Sequence, residues 1–100
     1  MNLTAKQTYL ITYDIADPKR LAAIYKVMRG YGDHVQLSVF RCDLTARQLV
    51  ELKVALSAEM NMHDDQVLVI DLGPADARGG EAIISIGRCF VRPQRKAIVI

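Results

Sequence analysis

A carboxylate at the end of an apolar strand is the clearest chemical feature of this 100-residue chain. The run Tyr9-Leu10-Ile11-Thr12-Tyr13-Asp14-Ile15 carries it, and Asp17-Pro18-Lys19-Arg20 follows as the opening of a helix. A strand that stops on Asp14 sets that side chain at the rim of a sheet, where it can meet solvent, a metal ion or a partner. Hard divalent cations take oxygen ligands, so a metal is one of the three. The alternative is an acid that caps the turn after its own strand, as Asx residues do.

The other reactive types are less well placed. Ser38 lacks a nearby His–acid pair, which argues against a nucleophilic serine and for a strand hydroxyl bonded to backbone. His34 could touch phosphate or carry a proton, or stand solvated at a loop edge. Cys42 and Cys89 form no C-x-x-C pair, and His34 and His63 lie far from both in sequence, so neither a zinc site nor a disulfide framework is indicated. Reduced, half-buried thiols in a cytoplasmic protein are the expectation. Tyr9, Tyr13, Tyr25, Tyr31, Phe40 and Phe90 make no dense stacking platform for single strands, and Tyr13 and Phe40 read as core or interface residues. Asp64-Asp65, after His63, reads as a solvated turn.

The basic residues form two groups. Lys19, Arg20, Lys26 and Arg29 recur at helical spacing, as either a solvated face or a stripe that tracks a phosphate backbone without reading sequence. From Arg78 onward, Arg78, Arg88, Arg92, Arg95 and Lys96 face the single acid Glu81, although the whole chain has a net charge of only +2. Such a segment suits a polyanionic or acidic partner, or simply solvates a tail.

Length and composition bound what positions these groups. One hundred residues make a single domain, 1–100. A domain of this size buries only ~60–65% of its unfolded surface, so a hydrophobic fraction of 51% points to an oligomer interface. Met1 to Gln7 lacks a signal-peptide core, and no apolar run reaches the ~18 residues of a membrane span. The expectation is a soluble protein of the cytoplasm with no membrane partner.

The periodicity alternates between strand and helix. In Thr8 to Asp14, Tyr9, Ile11 and Tyr13 share one face, and Leu10, Thr12 and Asp14 the other. Asp17 is an N-cap with Pro18 at the first helical position. Leu21, Ile24, Tyr25 and Met28 then give a buried stripe, and the helix stops at Gly30 or Gly32. Asp33 to Cys42 is extended, with Val35, Leu37 and Val39 alternating against Gln36, Ser38 and Phe40. Thr45-Ala46-Arg47-Gln48 is a capping box flanked by a Leu44–Leu49 staple, and Leu49, Leu52, Leu56 and Met60 line the helix it opens. Gln66 to Leu72 is nearly all apolar, which suggests a central or doubly covered strand. Gly73 to Gly80 is a turn-rich loop, Ala82 to Ile86 a short strand, Gly87 to Gln94 ambiguous, and Lys96 to Ile100 a final apolar strand.

This order predicts a small α/β (α+β) sandwich with helices on one sheet face. The arrangement is ferredoxin-like, βαββαβ, if the 33–42 segment is two short strands or one bent strand. Gln36-Leu37-Ser38 is where the break would fall. A free edge at Ala97-Ile98-Val99-Ile100 would invite aggregation, and pairing with a partner's sheet edge removes the hazard.

Tyr13-Asp14-Ile15, then Lys19-Arg20, then Val35-Gln36 with Ser38-Val39-Phe40 and a capped Leu-rich helix, resembles the CRISPR-associated Cas-two family over about Thr8 to Gly87. The resemblance implies a ferredoxin-like antiparallel sheet and a symmetric homodimer, with a C-terminal extension, 88–100, that pairs with the partner. It implies a dimer that binds duplex DNA and bridges the CRISPR integrase in spacer acquisition. It also implies metal-dependent endonuclease cleavage of RNA or DNA. On that likeness Asp14 is the catalytic residue and the ligand to Mg²⁺ or Mn²⁺, supported by Tyr13, Ser38 and Phe40. Arg20 falls at the family's basic helix start. With His34, Arg88, Arg92 and Arg95 it makes the candidate nucleic-acid or partner contact. Two positions depart from the pattern: Arg41 stands where many members carry a glutamate, and His34 where some carry an arginine. The reading without the family is a ferredoxin-like regulatory module that binds a small ligand, for which Gly79-Gly80 is a weak phosphate cradle.

Overall fold

Side-chain alternation along the first strand divides the molecule into a helix-covered face and an open one. The structure, a computed structural model, describes residues 3–88. Its elements are β1 (Gln7–Asp14), α1 (Pro18–Arg29), β2 (Asp33–Gln36), β3 (Val39–Leu44), α2 (Ala46–Glu59) and β4 (Gln66–Pro74), followed by a 3-10 turn at Arg78–Glu81. The strands form one antiparallel sheet in the order β2-β3-β1-β4. This is the ferredoxin-like βαββαβ arrangement.

Local chemistry starts both helices. Asp17 Oδ2 accepts the N–H groups of Lys19 and Arg20, each at 3.0 Å, which satisfies donors that the first turn leaves orphaned. Thr45 and Gln48 close the capping box: Gln48 N donates to Thr45 Oγ1 at 3.1 Å, and Thr45 N to Gln48 Oε1 at 2.9 Å. Leu44 is buried and Leu49 packs against the same core, completing the staple.

One core lies between helices and sheet. Tyr9, Ile11 and Tyr13 of β1 and Phe40, Cys42 and Leu44 of β3 meet Ile24 and Met28 of α1 and Leu52 and Leu56 of α2. Each fully buried large side chain contributes roughly 1.5–3 kcal/mol of transfer free energy. Gly32 admits β3 here: a Cβ at that position would lie 2.5 Å from the Arg41 carbonyl oxygen and overlap Cys42 Sγ.

The extended segment after α1 is two strands, broken at Leu37-Ser38. Leu37 takes a positive φ of 29°, and the register shifts between His34 and Gln36. That shift corrects the simple alternation read from sequence. Phe40 is fully buried on the helix side, not grouped with the polar positions.

Three further expectations are corrected. Among the described residues the strand from Gln66 is not central: β4 lies at an edge of the sheet and runs on to Pro74. Its apolar side chains reach solvent, with Leu68 49% and Ile70 42% exposed. Ala82 to Ile86 forms no strand. The 73–80 stretch is less loop-like than its composition suggests, because β4 and the 3-10 turn claim both of its ends. Cys89, Phe90 and the predicted strand at Lys96–Ile100 lie outside the described residues, as does all of the 88–100 extension except Arg88. Among the described residues no helix is long and apolar enough to cross a membrane.

Candidate functional site

Asp14 is the last residue of β1 and is exposed. It pairs in register with Gln66, just as Thr12 pairs with Leu68 and Leu10 with Ile70. Strand alternation puts Leu10, Thr12 and Asp14 on the open face. That face therefore carries a carboxylate at one end of an apolar strip. Among the described residues the Asp14 carboxylate takes no hydrogen bond or ion pair, and no group of three or more His, Cys, Asp or Glu side chains could hold a metal. Asp14 suits a hard cation as one oxygen donor, but a single chain does not complete a site around it.

The supporting residues form a unit behind Asp14. Tyr13 N donates to the Ser38 carbonyl at 3.1 Å, which ties the end of β1 to the β2–β3 turn. Tyr13 is 6% exposed, and its ring lies 6.2 Å from that of Phe40. Burial pushes its phenol pKa up, Tyr25 nearby adds to this, and a hydrogen bond with Ser38 pulls the other way. His34 packs edge-on against Tyr25 at 5.3 Å and tilted against Phe40 at 5.0 Å. Its Nε2 lies 2.6 Å from the Leu37 carbonyl oxygen, so the ring braces the turn beside Ser38.

Arg20 is engaged within the fold. Its Nε donates to Asp65 Oδ2 at 2.8 Å and its Nη2 to Asp65 Oδ1 at 3.2 Å. Asp65 also accepts from the N–H groups of Ala16 and Asn61, each at 2.9 Å. Its side chain is fully buried, which corrects the reading of Asp64-Asp65 as a solvated turn; only Asp64 is exposed. The hydrogen bonds from Arg20 hold the Asp65 carboxyl well below the usual carboxylate range. The two backbone N–H groups add to this, and burial opposes it. A sequence signal did exist: an acid directly before an apolar strand, with a cation at a helix start available to neutralise it.

On the same open face Arg41 is only 4% exposed. Its Nη2 stands 3.4 Å from Asp43 Oδ1, and Thr8 Oγ1 donates to that same oxygen at 2.7 Å. The Arg41 charge is thus paired within its own strand. Cys42 is fully buried, a correction to the half-buried expectation, and burial, aided by Asp33 and Asp43, pushes its thiol up to about 12. Gly79 packs against Thr8 and the Gly73 carbonyl, so it serves a close backbone approach and leaves no phosphate cradle at its own position. Arg88 is exposed, and Arg92 and Arg95 lie outside the described residues.

Residues 7–78 match the family model described as CRISPR associated protein Cas2. The chain belongs to the Cas2 family. It is 41% identical over 96 residues to a CRISPR-associated endoribonuclease Cas2 of Rhodospirillum rubrum, covering 96% of this chain and 93% of that one. A Geobacter sulfurreducens protein of the same name is 35% identical, over 92% of this chain and 96% of its own. The crystal structure of Streptococcus pyogenes Cas2 at pH 6.5 superposes with a TM-score of 0.69 at 29% identity, over 80% of this chain and 99% of that one. The Cas2 likeness thus extends over both the ferredoxin-like sheet and the strand that ends on Asp14.

Proposed function

We propose that this chain is a CRISPR adaptation protein. It acts as a symmetric homodimer that binds duplex DNA and bridges the integrase during spacer acquisition. It also cleaves phosphodiester bonds of RNA or DNA through Asp14 in a metal-dependent reaction. One observation carries the reading: Asp14 shares the sheet face that the helices leave free with the exposed Leu68 and Ile70. Apolar surface of this kind marks association sites. A two-fold axis through that face would bring two Asp14 carboxylates together and bury the apolar strip.

Paired carboxylates repel unless a cation or a proton intervenes, and Mg²⁺ is commonly held by one or two carboxylates together with waters and substrate oxygens. When bound, Mg²⁺ or Mn²⁺ supplies Lewis acidity and an activated water. The chain's own residues position the carboxylate. Tyr13 and Ser38 fix the end of β1, and Phe40 with His34 supports the turn. Arg88, Arg92 and Arg95 serve contact with nucleic acid or integrase, and the 88–100 extension pairs with the partner's sheet. Arg20 belongs to the structure behind Asp14. The named activity of the relatives and their CRISPR context support the same reading and the cytoplasm as its place.

Sedimentation equilibrium of wild type and of Leu68→Lys/Ile70→Lys tests the assembly. The expected result is twice the monomer mass for wild type and the monomer mass for the variant, with spacer acquisition lost in cells. A monomeric wild type, or a variant that stays dimeric and acquires spacers normally, would overturn the reading.

A further inference from the structure

The β1–α1 connection carries Asp14 out of the sheet, and one buried carboxylate on the far side of the chain holds it. Asp65 precedes β4 and pairs with nothing in its own strand. Instead it gathers three segments: the Ala16 N–H just beyond Asp14, the Arg20 guanidinium in the first turn of α1, and the Asn61 N–H after α2. Gln66, the next residue, is the register partner of Asp14. The same carboxylate therefore ties the segment that leaves Asp14 to the one that leads into its register partner. Nothing else among the hydrogen bonds described ties Ile15 or Ala16 to the α2–β4 connection.

We propose that Asp65, paired with Arg20, is the positioning residue of the Asp14 rim, holding the Asp14 carboxylate where a divalent cation would need it. This rests on the reading of Asp14 as the metal-binding carboxylate. Groups that orient a metal ligand from behind are worth 10–100-fold in metal affinity or activity. With its Nε and Nη2 committed to Asp65, Arg20 acts on the Asp14 rim from within the fold, while its side chain stays 30% exposed.

The test uses the full-length protein with Mn²⁺ alone as the probe. Mn²⁺ affinity is measured by calorimetry, and backbone amide exchange is followed at Asp14–Asp17 and, as a control, at Ile11 and Phe40. Wild type, Asp14→Asn, Asp65→Asn and Arg20→Gln are compared. Arg20→Gln leaves Asp65 its two backbone donors, so it answers the question if Asp65→Asn does not fold. The expected result is that the Asp65 and Arg20 variants exchange about tenfold faster at Asp14–Asp17, keep core exchange and dimer mass unchanged, and bind Mn²⁺ at least tenfold more weakly. Mn²⁺ affinity equal to wild type in these folded variants, while Asp14→Asn abolishes binding, overturns the positioning role and leaves the function standing. Mn²⁺ binding that survives Asp14→Asn overturns the functional reading and this inference with it.

Discussion

Asp65 Oδ2 lies 2.8 Å from Arg20 Nε, a contact that joins the start of β4 to the first turn of α1. The second Arg20 nitrogen reaches the other oxygen at 3.2 Å, so the pair is bidentate and geometrically specific. Arg20 in turn has its pKa raised, chiefly by this hydrogen bond. The pair thus favours the charged form of both partners.

A pH dependence of stability follows from the Asp65 side. Its folded pKa is depressed, so the unfolded chain binds the proton more tightly. The contribution is fully present above the unfolded carboxylate value of about 3.9 and is lost as pH falls from there through the folded value. Urea denaturation near neutral pH should show Asp65→Asn to be less stable than wild type. The gap should shrink progressively below about pH 4. A gap that stays constant over that range would contradict the assignment.

Gly32→Ala should destabilise the fold by about 1–3 kcal/mol, the usual cost of forcing extra volume into a packed site. The added Cβ would overlap the Cys42 thiol and the Arg41 carbonyl, and the backbone oxygen cannot rotate away. The midpoint of urea unfolding measures the effect, and an unchanged midpoint would mean that β3 sits farther from the α1–β2 turn than described.

Cys42 should resist alkylation in the native protein. It is fully buried, its thiol is pushed up to about 12, and the thiolate is the reactive form. Iodoacetamide at neutral pH, followed by peptide mapping, should label Cys42 only after denaturation. Rapid labelling of the native chain would contradict its burial.

Much of the architecture was legible because the signals are local. Asp17-Pro18 and the Thr45–Gln48 box each act within one helical turn, and the alternation of Tyr9, Ile11 and Tyr13 names the buried face of β1 directly. The break at Gln36-Leu37-Ser38 was legible too, because polar residues interrupt an apolar run. The side on which Phe40 falls was not, since a register shift changes strand parity without leaving a trace in composition. β4 read as central because it is apolar on both faces, and periodicity cannot tell a covered face from an exposed one. Asp65 was missed for a related reason. Its partner Arg20 lies 45 positions away, and the one local signal, the place of Asp65 directly before an apolar strand, does not name that partner. At the site, the strand-end position of Asp14 was readable from the run it terminates, while its alignment with Leu68 and Ile70 needed the β1–β4 register.

The most direct test of the central claim is a cleavage assay on RNA and on duplex DNA with Mg²⁺, Mn²⁺ or EDTA, comparing wild type with Asp14→Asn. Cleavage by wild type is expected in the presence of either metal and none in EDTA, with a loss of at least about a hundredfold in Asp14→Asn, in keeping with removal of a metal ligand whose outer partners alone are worth about 10–100-fold. Cleavage of equal rate in both proteins, or none by wild type under any of these conditions, would contradict that claim.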